Sequence, residues 1–210
     1  MGKATRTKIL IAAAELFEQQ GFDNTSIRDI TKHAGVHVSA LSYHFRDKEN
    51  LVRTIITENV EKLNRCRLSL LNGAISNSQG SPSLEQIVEA FIAPLLIPEI
   101  HKSTYETVRT LTVNTLNQNT NRNPNKHPLF TSTIQKFLSA FESLNLNLQK
   151  ESYLHLLRIS SATASLPASY SSDNSTPSIS SPPNQRMNEL HDMVEFICAG
   201  FKANMLQKSR

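Results

Sequence analysis

The sequence predicts an all-α fold, with a small N-terminal domain over residues 1–47 and a larger helical domain over residues 48–210. Apolar residues recur at helical spacing along almost the whole chain, and no segment alternates apolar and polar residues as a half-buried strand does. Residues that start and stop helices bound the N-terminal segments closely. A length of 210 residues is compatible with one core or two small ones.

The first two helices have clear boundary signals. The first is predicted over residues 5–20 and is followed by Gly21, which supplies the left-handed C-terminal position. Ser26 and Asp29 have the spacing of a capping box at the start of the second helix, and Gly35 ends that helix. These signals predict two helices joined by a short loop.

A third short helix follows a three-residue turn, and we expect Val38, Leu41 and Phe45 to face the core from it. Two short helices joined by a Gly-containing turn match the helix-turn-helix plan, in which the second helix enters the DNA major groove. Asp47 can cap a fourth helix, predicted over residues 48–71.

The C-terminal part is predicted to hold helices over residues 84–96, 101–116, 129–144, 148–166 and 185–207. Residues 72–83, 114–125 and 167–184 have loop compositions, and the last of these is rich in Ser and Pro. Pro94 and Pro98 are expected to kink or end the first of these helices.

Composition favours a cytoplasmic protein that has no membrane partner. Hydrophobic residues make up 39% of the chain, mean hydropathy is −0.32, and no apolar run has the length of a membrane span. The N-terminus lacks the layout of a signal peptide. Cys66 and Cys198 are far apart in sequence, so we expect buried free thiols rather than a disulfide.

The charge distribution mildly favours a polyanionic partner. The formal net charge is +4 with a pI near 9.1, and Lys3, Arg6 and Lys8 precede the first acidic residue, Glu15. Residues 1–53 hold eight Lys or Arg and six Asp or Glu, a net +2, so the remainder carries the other +2. Placement therefore matters more than total charge.

Metal binding and catalysis find little support in the sequence, so we predict no metal, no cofactor and no catalytic residue. His33 and His37 have the spacing of paired zinc ligands on a helix, but Gly35 interrupts the helix between them. His37 and His44 would lie about 10 Å apart along a helix, too far for one ion. No P-loop, dinucleotide-binding or nucleophile-elbow motif occurs.

A DNA-reading surface fits the third helix better. Small side chains at Ser39, Ala40 and Ser42 would allow close approach to base edges, while Tyr43 and His44 can donate to phosphates. The start of the fourth helix, at Lys48, adds a charge and a helix N-terminus. Packing between helices is the alternative role for Tyr43 and His44.

Residues 5–52, TRTKILIAAAELFEQQGFDNTSIRDITKHAGVHVSALSYHFRDKENLV, resemble the DNA-binding domain of TetR-family transcriptional regulators, which extends to about residue 64. The shared pattern is I-L-x-A-A-x-x-L-F, then G-F, T-S/T-x-R-x-I/L, A-G-V, Y-x-F and K-x-x-L. Two departures are visible. Tyr43 stands one residue after the position where many members have Tyr, and His37 stands where Ser, Thr or Asn often caps the helix. Imidazole is a poorer cap, so we expect His37 to point at DNA or solvent.

The resemblance implies a homodimeric, ligand-responsive regulator, expected to repress, that binds a palindromic double-stranded DNA operator. It also implies that the last two long helices form the dimer interface and that the fourth helix links a small-molecule pocket to the DNA-binding domain. The predicted DNA-contacting residues are Lys3, Arg6, Thr25, Ser26, Arg28, His37, Val38, Ser39, Ala40, Ser42, Tyr43, His44 and Lys48.

An apolar, acyl-like effector is expected, because EQIVEAFIAPLL and HLLRISSATAS resemble the branch of the family that includes fatty-acid-responsive repressors. Core packing accounts for the same residues. The candidate effector-pocket residues are Ile56, Val60, Phe91, Tyr105, Val108, Phe137 and Phe141. Two alternative functions remain: a helical small-molecule enzyme and a purely architectural DNA-binding protein without a pocket.

Overall fold

The computed structural model describes residues 2–97, 128–146, 148–164 and 182–208. Within these ranges the regular secondary structure consists of α-helices alone, which confirms the predicted all-α class. The eight helices are α1 (Gly2–Gln20), α2 (Ile27–His33), α3 (Val38–Phe45), α4 (Lys48–Asn77), α5 (Leu84–Leu96), α6 (Pro128–Glu142), α7 (Lys150–Ala164) and α8 (Pro183–Lys208).

The described residues belong to two compact units, and the boundary between them along the chain falls within α4, between Lys62 and Leu63. The sequence places a domain boundary fifteen residues earlier, between Asp47 and Lys48. That earlier boundary separates a predicted DNA-binding part from a predicted effector-binding part, and this division stays a prediction. We call residues up to Lys62 the N-terminal unit and the described residues from Leu63 the C-terminal unit.

Helix α3 is held in the N-terminal unit by two side chains. Leu41 is fully buried and Phe45 nearly so, in a cluster with Ile9 and Phe17 of α1 and Ile30 of α2. Val38 is 42% exposed, so its predicted inward orientation is wrong. Val38 is the first residue of α3 and does not belong to the cluster that buries Leu41 and Phe45.

The ends of α1 and α2 form as predicted. Gly21 has φ +82° and its N–H donates to the Phe17 carbonyl at 3.0 Å, while Gly35 has φ +63° after α2. The Ser26 hydroxyl accepts from the Asp29 N–H, and the Asp29 carboxylate accepts from the Ser26 N–H. These two reciprocal bonds complete the capping box and fix where α2 begins.

Helix α4 continues to Asn77, six residues beyond its predicted end at Leu71. The prediction of a loop from Asn72 was therefore wrong for residues 72–77. Leu71 is buried and Ile75 packs against the same core, so tertiary burial outweighs the low helix propensity of Asn72 and Gly73.

The C-terminal unit is built around an aromatic core. Phe91 and Phe137 meet edge to face with centroids 5.0 Å apart, and Phe141 stacks on Tyr153 at 5.3 Å. Nε of the buried Arg67 donates to the Phe91 carbonyl at 2.8 Å, and the guanidinium lies 3.9 Å from the Phe91 ring centroid. The core therefore joins α4, α5, α6 and α7.

Helix α5 contains Pro94 and ends at Leu96, two residues later. Pro98, the helix predicted over residues 101–116 and the loops predicted over 114–125 and 167–184 lie outside the described residues, apart from residues 182–184. Residues 183 and 184, predicted as loop, already belong to α8.

Cys66 is half-buried and Cys198 is buried, and neither forms a disulfide. Burial fits the prediction better for Cys198 than for Cys66. None of the helices in the described part of the chain combines the length and the hydrophobicity that a membrane-spanning helix needs.

Substitution of Leu41 by Ala should lower the free energy of unfolding by about 2–5 kcal/mol, because the side chain is fully buried and leaves a cavity. The matched change Val38→Ala in the same helix should cost about 0.5 kcal/mol or less, because Val38 is exposed. Urea unfolding followed by circular dichroism measures both. Equal losses would contradict the assignment of inward and outward faces.

Candidate nucleic-acid interface

The outward face of α3 carries short polar side chains and one aromatic ring. Val38, Ser39, Ser42 and Tyr43 are exposed, and Tyr43 is 83% exposed. Ala40 is half-buried and packs against the N-terminal core, so of the predicted contacts it is less accessible than its neighbours. The face is therefore compatible with close approach by a groove of DNA.

Tyr43 and His44 interact with each other as well as with their surroundings. Their rings meet edge to face with centroids 5.0 Å apart, and the half-buried His44 lies 6.1 Å from the Phe45 ring. His44 thus packs partly against its helix neighbours. Tyr43 keeps its hydroxyl at the surface, where it can donate to a phosphate oxygen.

His37 is the N-cap of α3. Its Nδ1 accepts the Ser39 N–H with an N···N distance of 3.4 Å and lies 2.9 Å from Ser39 Oγ. Imidazole was expected to be a poorer cap, but here it reaches the second helical residue in the way a Ser or Asn side chain does. The ring is exposed at the same time.

Two of the predicted DNA-contacting residues, both basic, have partners inside the N-terminal unit. The Arg6 guanidinium pairs with the Glu58 carboxylate of α4 and lies 5.5 Å from the Phe45 ring centroid. Lys48 Nζ lies 3.9 Å from the Phe22 ring centroid. Lys3 and Arg28 are exposed. Arg6 and Lys48 would have to rearrange to reach DNA, whereas Lys3 and Arg28 are accessible as they stand.

Thr25 does not fit its predicted role in DNA contact. Its side chain is buried, and its hydroxyl donates to the Gly21 carbonyl at 2.7 Å. Thr25 therefore fastens the loop between α1 and α2. Ser26 is exposed but its hydroxyl lies 2.5 Å from Asp29 Oδ2, so it serves the cap of α2.

Arg46 is an exposed basic residue that the sequence reasoning missed. It follows α3 with φ +69° and ψ −58°, and the Asp47 N–H donates across it to the Phe45 carbonyl at 2.9 Å. This is the geometry of a γ-turn, which is uncommon for a residue with a side chain. Its position in the sequence could have indicated this residue, because it is basic and lies between the predicted DNA-reading helix and the capped start of the next helix.

The histidines proposed and rejected as metal ligands have other partners. His33 Nε2 lies 2.8 Å from a Glu15 carboxylate oxygen, and His37 bonds Ser39. Across the described ranges, no three His, Cys, Asp or Glu side chains are grouped so as to hold a metal ion.

The candidate effector residues are only partly brought together. Phe91, Phe137 and Phe141 belong to the aromatic core, while Ile56 is half-buried, Val60 is buried and neither belongs to that cluster. Tyr105 and Val108 lie outside the described residues. The effector pocket stays a prediction.

Two grooves open on the C-terminal unit, and the predicted effector residues line neither. The α5–α8 groove, of about 940 Å³, is lined in part by Glu85, Glu89, Cys198 and Lys202. Burial raises the pKa of the Cys198 thiol to about 12, and a hydrogen bond from Lys202 lowers the pKa of Glu85. The α7–α8 groove, of about 410 Å³, includes Ile159 and Phe196.

Comparison with known proteins supports the resemblance of the N-terminal residues to TetR-family DNA-binding domains. Residues 9–55 match the profile of bacterial regulatory proteins of the tetR family. YttP of Bacillus subtilis (strain 168), a probable HTH-type transcriptional regulator, is 35% identical over 89 residues, which are 42% of this chain and 41% of YttP. The HTH-type transcriptional regulator UidR of Escherichia coli (strain K12) is 40% identical over 58 residues, 28% of this chain and 30% of UidR.

The chain thus spans less than half the length of these two relatives. A crystal structure of a TetR-family transcriptional regulator from Mesorhizobium loti superposes with a TM-score of 0.61 over 97% of both chains, at 18% identity. That likeness extends the shared fold to the C-terminal unit.

The capping box of α2 should respond to acid. Hydrogen bonds from the Ser26 hydroxyl and Ser26 N–H hold the pKa of the Asp29 carboxyl below its ordinary value of 3.8. A lowered folded-state pKa stabilises the fold above the unfolded-state pKa, and this contribution is lost as pH falls through the folded-state value. The destabilisation caused by Asp29→Ala should therefore shrink as the solution is acidified.

Gln86→Ala is the matched control, because Gln86 completes the corresponding capping box at Ser83 with a side-chain amide, which does not itself titrate. Its destabilisation should stay constant over the same pH range. Urea unfolding of both variants measures the effect. An Asp29→Ala loss that is independent of pH would contradict the proposed source of the pKa shift.

Proposed function

Since residues 9–55 match the tetR family of bacterial regulatory proteins, we propose that this chain is a sequence-specific DNA-binding transcriptional regulator. The observation that carries the proposal is the two-sided character of α3. Leu41 and Phe45 are buried on one side, while Ser39, Ser42 and Tyr43 are exposed on the other. A helix so anchored can enter the major groove without losing its packing.

The exposed residues of α3 divide by chemistry into two roles. Ser39 and Ser42 can hydrogen-bond base edges, and the exposed methyl groups of Val38 suit the methyl group of thymine. Tyr43, with Lys3, Arg28 and Arg46, supplies donors for phosphate oxygens. Phosphate contacts position the protein, whereas the first group would specify sequence.

A homodimer through α7 and α8 is part of the proposal. Phe196 is 77% exposed and Ile159 is 58% exposed, and both line the α7–α8 groove. Two large apolar side chains left in solvent at one groove support a protein–protein contact there. A twofold dimer would offer two copies of α3 to successive major grooves, about 34 Å apart, and would select a palindromic operator.

An apolar effector is proposed to control this binding, and the proposed response is release of a repressed promoter. The aromatic character of the C-terminal core supports an apolar ligand class. Helix α4 runs without a break for 30 residues, from the N-terminal core at Leu51 to the C-terminal core at Leu71. A ligand that binds one arrangement of this helix more tightly shifts the population toward it.

The two alternatives make different demands on the chain. An enzyme would need an acid, base or nucleophile set, and the match of residues 9–55 to a family of regulatory proteins favours regulation over catalysis. A purely architectural protein would bind DNA without sequence preference and without an effector. The polar outward face of α3 favours a protein that reads sequence.

Selection from a random pool of double-stranded DNA tests the function. The full chain should enrich one sequence made of two inverted half-sites about 10 base pairs apart, centre to centre, or a multiple of that spacing. Enrichment of a sequence without dyad symmetry would contradict the dimeric operator. Binding without any preferred sequence would favour the architectural alternative, and repetition with fatty acids of increasing chain length tests the effector class.

Phe196→Glu should convert the proposed dimer to a monomer, because it places a charge in the α7–α8 groove where an exposed apolar side chain stands. Affinity for a two-half-site operator should fall by at least tenfold, because the two half-sites then bind separately. Analytical sedimentation measures the mass of the particle in solution. The matched control is Leu70→Glu, which adds the same charge at another exposed apolar side chain. A Phe196→Glu chain that remains dimeric would place the interface elsewhere.

A further inference from the structure

The N-terminal end of α3 holds a pair of side chains whose hydrogen bonds determine what each can offer to a ligand. His37 Nδ1 lies 3.4 Å from the Ser39 backbone nitrogen and 2.9 Å from Ser39 Oγ. Both residues are exposed and stand at the first turn of the helix. Recognition helices contact base edges with this end.

The hydrogen bond from the Ser39 backbone N–H requires one particular tautomer of the His37 imidazole. An N–H group can only donate, so Nδ1 must be unprotonated to accept it. A neutral imidazole with a free Nδ1 carries its proton on Nε2. The Ser39 hydroxyl, 2.9 Å from the same Nδ1, must then donate its proton to that nitrogen.

We propose that this bond fixes the polarity of the reading surface, so that His37 presents a donor, Nε2–H, and Ser39 presents only an acceptor oxygen. This inference rests on the proposed function as a sequence-specific DNA-binding protein. A free serine hydroxyl is both donor and acceptor and cannot distinguish an amino group from a carbonyl on a base. The bond to His37 removes that ambiguity.

The matching groups on DNA follow from this polarity. In the major groove the donors are the amino groups of adenine N6 and cytosine N4, and these suit the Ser39 oxygen. The acceptors are guanine O6 and N7, adenine N7, thymine O4 and phosphate oxygens, and any of these suits His37 Nε2–H. His37 is therefore a positioning residue for Ser39 and a DNA-contacting residue in its own right.

The test uses the full chain and selection from random double-stranded DNA, with three variants. The wild type should prefer A or C at one position of each half-site. Ser39→Ala keeps the backbone bond to His37 and should reduce that preference by roughly tenfold, with no change at the other positions.

His37→Ser separates the proposed role from simple capping. Serine is a good N-cap, so α3 is retained, but its short side chain leaves the Ser39 hydroxyl free to donate. The Ser39 position should then accept G or T as well as A or C. A cap without further function would leave the preference unchanged, and His37→Ala, which loses the cap, should weaken binding to every sequence.

The contact made by His37 itself has two distinguishable sources. Loss of preference at a second position in His37→Ser indicates a base acceptor, and an equal loss of affinity for all sequences indicates a phosphate. Nitrogen-15 NMR of the free protein at alkaline pH should show the Nε2–H tautomer of His37.

Three results overturn the inference. An Nδ1–H tautomer excludes the bond, and an unchanged selected sequence in both Ser39→Ala and His37→Ser excludes its role in specificity. These two leave the proposed function intact if the wild type still selects a dyad-symmetric sequence. A wild type that selects no shared sequence overturns the proposed function and this inference with it.

Discussion

The burial of Leu41 and Phe45 is the constraint on which the N-terminal unit depends. A helix of eight residues, Val38–Phe45, is too short to be stable in water by itself, so its backbone must be held by packing and by its ends. Leu41 and Phe45 supply the packing against α1 and α2, and His37 supplies the N-cap. The burial of Leu41 and Phe45 therefore determines where the exposed side chains of α3 lie.

Two basic side chains of the N-terminal unit already have partners within it. Arg6 lies beside Phe45 and pairs with Glu58, and Lys48 lies over the ring of Phe22. The Arg6–Glu58 pair is partly exposed, and such pairs contribute little to stability, so a nearby phosphate can compete for the guanidinium. The pair joins the N-terminal part of α1 to α4, so its rearrangement would couple DNA contact to the helix that continues into the C-terminal unit.

Sequence patterns predicted the elements whose signals are local and missed those that depend on neighbours. Gly21 and the Ser26–Asp29 capping box act within one helix turn, and both form as predicted. Val38 has the same helical spacing as Leu41, but spacing cannot show that the apolar surface ends before the first turn of α3. Thr25 is a polar residue of the kind found in surface loops. Only the three-dimensional structure shows that its hydroxyl donates to the Gly21 carbonyl inside the fold. His37 was misjudged because cap preferences average over helices and ignore a partner as close as Ser39.

The two grooves of the C-terminal unit differ in whether a second copy of the same surface can face them. A twofold interface brings each patch against itself, so like charges in the patch oppose each other. The α5–α8 groove carries four carboxylates, Glu85, Glu89, Asp192 and Glu195, and its Lys202 is already paired with Glu85. Self-association there would bring carboxylates together at a cost. The α7–α8 groove holds Phe196 and Ile159 with one carboxylate, Glu151, so self-association there buries apolar surface with little repulsion. Charge and exposure therefore both favour the α7–α8 groove over the α5–α8 groove as the face that a second subunit would cover in the proposed dimer.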